Sequence, residues 1–241
     1  MYNIIHFQQI DSTNTELKRR ALMGAPSGTV LVADSQSAGR GRMGRSFFSP
    51  SGSGLYMSLL VSPIRLTDAG LLTTFTAVAV ARALDDFGIQ TGIKWVNDLI
   101  ADGRKLCGIL AEAGTRDGLP FAVIGIGVNL KKTAFPADLA PIVVSAEELI
   151  GKAPDRDALL EAILHQLSVI HLACPEDPAD LMDEYRRRSL TLGRRIRVIP
   201  HGAPPYDAFA QAILDDGSLK VLTENGTRIV SSGQVSTGNG S

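Results

Sequence analysis

The sequence predicts an α+β fold: a mixed, largely antiparallel sheet with covering helices, followed by a small C-terminal β-barrel. Three observations carry it. Strand-like alternation opens the chain ahead of a capped helix, an antiparallel meander fills residues 99–130, and everything past Gly193 breaks into short strands parted by turn signals. With 241 residues, of which 44% are hydrophobic and 20% charged, the chain is long and apolar enough for one full domain and a smaller partner. The change of character places the boundary near residue 190, giving units 1–190 and 191–241.

Residues 2–8 alternate as a strand does, and Asp11-Ser12-Thr13-Asn14 then offers capping groups. Thr13 and Glu16 stand at capping-box spacing ahead of a helix reaching Met23. Residues 29–33 are β-rich, residues 36–54 are crowded with Gly, Ser and Arg, and residues 55–61 resume as an apolar strand, so a long loop joins two strands. Residues 71–87 are Ala-rich, apolar and of helical length. Gly88 and Gly92 mark the exit into an Ile93-Lys94-Trp95 strand, and this helix is expected to cover the sheet. The meander runs through residues 99–101, an Asp102-Gly103 turn, residues 105–113, a second Gly/Asp turn and residues 121–130. Ser145 and Glu148 form another capping box, and helical patterns cover 156–173 and 178–188. Strands at 196–199, 208–214, 219–222 and 228–230 make the expected barrel, and residues 236–241 read as a frayed polar tail.

Charge and residue counts exclude several classes. Lys and Arg total 24 against 25 Asp and Glu, a net charge of −1, so no global field draws in duplex nucleic acid or anionic lipid. Two cysteines, Cys107 and Cys174, are too few for a disulfide framework or a four-cysteine cage and are expected as reduced thiols. The histidines at 6, 165, 171 and 201 include no helical i,i+4 pair, so no dedicated metal site is expected. The N-terminus lacks a basic segment followed by an apolar run, and no stretch holds eighteen uninterrupted apolar residues. A cytoplasmic protein with neither membrane nor nucleic-acid partners is expected.

The chemistry concentrates in three segments. Gly39-Arg40-Gly41-Arg42-Met43-Gly44-Arg45 formally matches G-x-G-x-x-G, but Pro50, Gly52 and Gly54 follow where a dinucleotide site needs a helix, and no P-loop motif occurs. Glycines that let backbone N–H groups curl around an anion, alternating with guanidinium forks, suit a phosphate ester. A solvated surface loop and a flexible RNA-binding Gly/Arg segment near Phe47 and Phe48 fit the stretch equally well. In the second segment, Asn97-Asp98 begins a hairpin and Lys105 stands on its returning strand, so an amide, a carboxylate and an ammonium can meet on one pocket wall. Cys107 sits among apolar residues without a neighbouring His and reads as core. In the third, Gly125 and Gly127 interrupt a strong strand ahead of Asn129, which marks close approach by a ligand or another backbone, or a core bulge.

Taken in order, these segments resemble the biotin protein ligases. The family's G-R-G-R-x-G-R loop stands at residues 39–45, its Ser-Thr-Asn at 12–14, its K-W-P-N-D at 94–98, its G-R-K-x-x-G-I-L at 103–110, its G-I-G-x-N at 125–129 and a Ser-Gly-x-V-Ser-like ending at 232–236. Val96 replaces the family's proline, and Phe47 stands where many members carry tryptophan, leaving less aromatic surface over an adenylate. The resemblance implies a class II aminoacyl-tRNA synthetase-like catalytic domain and an SH3-like C-terminal barrel. It also implies a two-step ligase, in which the biotin carboxylate attacks the α-phosphorus of ATP, brought with Mg2+, and a lysine of a biotin carboxyl carrier protein or domain takes the biotinyl group. Lys105, Arg40, Arg42 and Asp98 are then the catalytic candidates, with Lys105 bridging carboxylate and α-phosphate. Asp98 either holds the metal or orients a basic residue. Ser12, Thr13, Asn14, Gln36 and Gly108, with Arg40, Arg42 and Lys105, are the biotin-binding candidates, and Gly39, Gly41, Arg45, Phe47, Asn97 and Asn129 the nucleotide-binding ones. The Gly-rich loop is expected to be mobile when empty and ordered when occupied.

A lipoate-protein ligase or related acyltransferase is the nearest rival, followed by a non-catalytic biotin sensor and an RNA-binding protein. Eleven residues precede Ser12, too few for the DNA-binding winged helix of some members, so no repressor role is expected. Arg186, Arg187, Arg188, Arg194, Arg195 and Arg197 cluster at the expected junction, where a solvated helix end and strand face is the favoured reading over an acceptor-docking surface.

Overall fold

The computed structural model describes residues 2–64, 71–170, 178–200 and 202–237. The opening alternation becomes β1 (Asn3–Ile10), and Ser12 caps α1 (Thr13–Leu22) by accepting from the Thr15 backbone N–H at 3.4 Å. The expected Thr13/Glu16 box is therefore one residue out of register. Glu16 instead accepts from Arg19 and Arg20, each at 2.6 Å, while the Thr13 hydroxyl turns inward toward Gln36 and Ser58.

The chain crosses back through α1 to β2 (Thr29–Gln36), which pairs parallel to β1, and returns as β3 (Gly54–Val61). After α2 (Leu71–Asp85) come β4 (Gly92–Lys94), β5 (Asp98–Ala101), β6 (Arg104–Arg116) and β7 (Leu119–Asn129). The sheet order is β1-β2-β3-β7-β6-β5-β4, with antiparallel pairing everywhere except between β1 and β2. The turns Asp102-Gly103 and Asp117-Gly118 have positive φ at both residues, the conformation whose twist suits a two-residue hairpin. One sheet face packs Leu31, Leu60, Phe121 and Val123 under Leu17 and Ala21 of α1. The other packs Val30, Leu59, Ile124 and Ile126 against α2 and against α4 (Arg156–Val169), so β3 is buried along its whole length.

The Ser145/Glu148 capping box is present, but its helix, α3 (Ala146–Ile150), ends within five residues at Gly151. Beyond α5 (Pro178–Arg187), residues 188–190 run beside β4, with Ile93 N–H donating to the Arg188 carbonyl at 2.8 Å. The remaining strands are β8 (Arg195–Ile199), β9 (Tyr206–Ile213), β10 (Leu219–Thr223), β11 (Gly226–Val230) and β12 (Gln234–Thr237). They form one antiparallel sheet in the order β11-β10-β9-β8-β12. Where a closed barrel was expected, the described strands leave β11 and β12 as edges. β11 buries only Val230, so little drives it to curl onto the far edge.

Ser236 and Thr237 belong to β12 rather than to a frayed tail, because they pair with Arg197 and Ile196. Residues 238–241, Cys174, His171 and His201 lie outside the described residues, as does the expected continuation of α4 beyond residue 170. Cys107 is fully buried core, where loss of hydration pushes its thiol well above the usual range. The core is continuous across residue 190: Ile93, Trp95 and Tyr185 belong to the same buried cluster as Ile196, Val198 and Val235.

Candidate active site

On the sheet face that α1 covers, three missing side chains create a shelf. A Cβ on Gly125 would lie 2.2 Å from Asn14 Oδ1, one on Gly127 2.6 Å from the Phe47 ring, and one on Gly108 3.0 Å from Lys105 Nζ. The glycines of β6 and β7 thus admit the start of α1 on one side and an aromatic ring and an ammonium on the other. Ser12, Thr13 and Asn14 are all buried here. Thr13 donates through its backbone N–H (2.9 Å) and hydroxyl (3.1 Å) to Gln36 Oε1, and Gln36 Nε2 donates to Ser49 Oγ at 2.9 Å. The Ser58 hydroxyl lies 2.8 Å from Thr13 Oγ1 and 2.6 Å from Asn14 Oδ1.

The Gly/Arg loop folds back on itself. Gly41 N–H donates to the Arg45 carbonyl at 2.7 Å and Phe47 N–H to the Gly39 carbonyl at 2.8 Å, with a turn at Arg42–Gly44 in which Met43 has φ 55°. Gly39 serves this fold: a Cβ there would meet the Phe47 carbonyl oxygen at 2.4 Å. Arg40 reaches Glu112 at 2.9 Å, and Arg42 donates to Asn97 Oδ1 at 3.1 Å. Burial lowers the Arg42 guanidinium from its ordinary value, and the negative charge of Asp98 opposes that fall.

The link from β4 to β5 supplies the third wall. Its Trp95–Val96 peptide is cis, at the position where the sequence departs from the K-W-P-N-D pattern. Asn97 Nδ2 donates to the Ile109 carbonyl at 2.9 Å and to Asp98 Oδ1 at 3.1 Å, and the same Asp98 oxygen receives Lys105 Nζ at 2.7 Å. Lys105 Nζ also stands 5.8 Å from the Phe47 ring centroid. Burial lowers the Lys94 ammonium; Asp98 opposes this, while Lys105 and Arg45 add to it. Asn129 spends its amide nitrogen on the Lys105 and Val144 carbonyls, at 3.4 and 3.3 Å.

Two cavities meet at this wall. The inner, smaller one is lined by Ser12, Thr13, Asn14, Gln36, Arg40 and Gly108. The outer, larger cleft opens to solvent and is lined by Arg45, Asp98, Asn129, Phe135 and Ile142, and by Gln234 of the C-terminal sheet. Gly41, Arg42, Phe47, Asn97 and Lys105 border both. Every catalytic, biotin-binding and nucleotide-binding candidate lines one cavity or the other except Gly39, whose part is in the loop's own fold. Of the two roles left open for Asp98, its contacts fit orientation of Lys105. Among the described residues, no group of three or more His, Cys, Asp or Glu side chains could hold a metal ion.

Sequence reasoning missed Ser58, a small polar residue inside the apolar run of β3, and Glu112, the one charged residue between Leu106 and Gly114 of β6; each interruption was the available signal. It also missed Phe135 and Ile142, which lie outside regular elements. Of the arginine cluster, Arg186 pairs with Asp183 and Asp215, Arg188 with Glu184 and Asp85, and Arg197 with Asp207. These pairs mainly brace α5 and the C-terminal sheet.

A small polar pocket and a larger cleft, joined at a wall bearing Lys105 and Arg42, suit a molecule whose two halves differ and whose middle is negatively charged. The comparisons point the same way. Residues 6–129 match the Biotin/lipoate A/B protein ligase family. The chain is 36% identical over 236 residues to the Biotin--[acetyl-CoA-carboxylase] ligase of Mycobacterium tuberculosis, covering 94% of this chain and 86% of that one. It is 33% identical over 244 residues to the Bifunctional ligase/repressor BirA of Bacillus spizizenii, covering 98% of this chain and 74% of that protein. Among solved structures, the biotin protein ligase from Aquifex aeolicus in complex with biotin and ATP is similar with a TM-score of 0.80 at 28% identity, over 98% of both chains.

Proposed function

The chain belongs to the Biotin/lipoate A/B protein ligase family, and from that membership we propose the course of its reaction. It is an ATP-dependent biotin protein ligase that works through biotinyl-5'-AMP. A biotin carboxylate oxygen attacks the α-phosphorus of Mg2+-bound ATP and pyrophosphate departs. The amine of an acceptor lysine, on a biotin carboxyl carrier protein or domain, then attacks the carbonyl carbon and AMP departs.

The observation that carries this reading is the shared wall, where Lys105 and Arg42 stand between a polar pocket and a larger open cleft. The first step brings two anions together, and preorganised cations at their meeting point lower its barrier. In this reading Ser12, Thr13, Asn14 and Gln36 receive the biotin headgroup, whose ring nitrogens and carbonyl match their donors and acceptors. Lys105 lies against the carboxylate and α-phosphate, held there by Asp98. Arg42 supports the same linkage, and Arg45, Phe47 and Asn129 face the nucleotide. Mg2+ enters as part of the ATP complex. The catalytic unit runs to residue 190, and the C-terminal unit, read as the family's SH3-like module, borders the nucleotide cleft through Gln234.

ATP–pyrophosphate exchange tests the proposal. Exchange is expected with biotin and not with lipoate; exchange with lipoate alone would assign the chain to the other branch of its family, and exchange with neither would overturn the reading.

A further inference from the structure

Glu112 stands on β6, in register with Val123 of β7 and on the face that α1 covers. Its side chain is 16% exposed. One of its oxygens, Oε2, accepts from Arg40 at 2.9 Å and from Asn14 Nδ2 at 3.1 Å, and Lys18 Nζ lies 3.9 Å from the other. The two partners that share Oε2 belong to different parts of the inner pocket. Asn14 is part of the fixed wall, tied by its second contacts to Ser58 and to the Leu110 carbonyl. Arg40 belongs to the loop, and its side chain is 45% exposed. Its pairing partner Ser46 lies within the same loop, so Glu112 gives this arm of the loop a side-chain tie to the sheet.

We propose that Glu112 is a positioning residue that latches the loop over the inner pocket, holding Arg40 down while it orients Asn14. A charge-assisted hydrogen bond is strong only where water is partly excluded, which the low exposure of Glu112 provides. Glu112 does not border either cavity among the residues that line them, so its effect on the reaction runs through Arg40 and Asn14. The latch governs how long biotin and biotinyl-AMP stay bound, and it has little part in the bond-forming step.

The proposal rests on the ligase reading above, and the test separates the two. Wild type, Glu112→Gln, Arg40→Gln and the double variant are compared for biotin-dependent pyrophosphate exchange and for biotinyl-AMP released into solution, with thermal unfolding alongside. Glu112→Gln is isosteric and removes the charge. It is expected to raise the biotin KM and the released fraction roughly tenfold, with a much smaller fall in kcat and an unfolding temperature close to wild type. In the Arg40→Gln background the same substitution is expected to add little, because the latch is already open. Glu112→Asp keeps the charge but shortens the reach, and an intermediate KM is expected from it. If wild type shows biotin-dependent exchange while Glu112→Gln leaves KM and release unchanged, or if the two substitutions simply add, the latch is wrong and the ligase reading stands. Absence of exchange in wild type overturns both.

Discussion

Lys105 joins the two halves of the site through one side chain, ion-paired to Asp98 at 2.7 Å and bordering both cavities. Lys105→Ala is therefore expected to fold normally and to slow biotinyl-AMP formation by roughly a hundredfold or more, as loss of a preorganised charge-stabilising donor does. A wild-type rate of pyrophosphate exchange would show that the ammonium has been misassigned. Arg42 tests retention: its guanidinium is held in place by Asn97. Arg42→Gly removes that contact and frees the backbone, so some adenylate synthesis is expected to survive while biotinyl-AMP escapes. Labelling of bystander albumin at equal adenylate output measures the escape, and no increase would confine the loop to substrate binding. The residues bearing distinctive chemistry were legible because the motifs place them at short, ordered spacings. Glu112 and Ser58 were not: their partners Arg40 and Asn14 lie 72 and 44 residues away in sequence, and only the folded sheet brings them together.

The elements that position these side chains are braced from behind. Tyr185 of α5 is fully buried and donates to the Val96 carbonyl at 2.9 Å, fixing the link that carries Asn97 and Asp98. Tyr185→Phe leaves that carbonyl unpaired and is expected to cost about 1–3 kcal/mol, read by denaturant unfolding; an unchanged midpoint would mean that another donor takes its place. In α1, hydrogen bonding from Arg19, reinforced by Arg20 against the cost of burial, holds Glu16 down at about 2 from its ordinary 4.5. A carboxylate depressed in the folded state stabilises above its unfolded value and loses that stabilisation as pH falls through its folded one. The stability gap between wild type and Glu16→Gln is therefore expected to be constant from pH 7 to about 5 and to close between 4.5 and 2; a gap independent of pH would contradict it. The strands and Asp-Gly turns of the meander were legible because alternation and turn chemistry are local. The α1 cap was misread by one residue because Thr13 and Glu16 both carry capping side chains, but distant Gln36 and Ser58 claim the first and Arg19 and Arg20 of the same helix claim the second.

For the whole molecule, local signals gave an α+β sheet protein but not its strand order. That β7 lies between β3 and β6, and that β1 joins β2 in parallel, depends on long-range pairing and on which face each helix buries. The same limit applies to the C-terminal strands, whose open arrangement no local pattern signals, and whose β12 places Gln234 at the outer cleft. The connection between the units is equally non-local: Trp95, in the middle of the catalytic motif, donates through its indole N–H to the Gly217 carbonyl at 3.0 Å. In the proposed reaction this one site makes biotinyl-AMP, keeps it, and hands its biotinyl group to an acceptor lysine. Native mass spectrometry of the protein after incubation with biotin and Mg2+-ATP tests it most directly. The expected result is a stoichiometric complex heavier by biotinyl-AMP, which, freed of excess ATP, transfers biotin to an added carboxyl carrier domain and returns to its original mass. A chain that gains no such mass, or whose bound adenylate is not consumed by the acceptor, would not be working through a retained biotinyl-AMP.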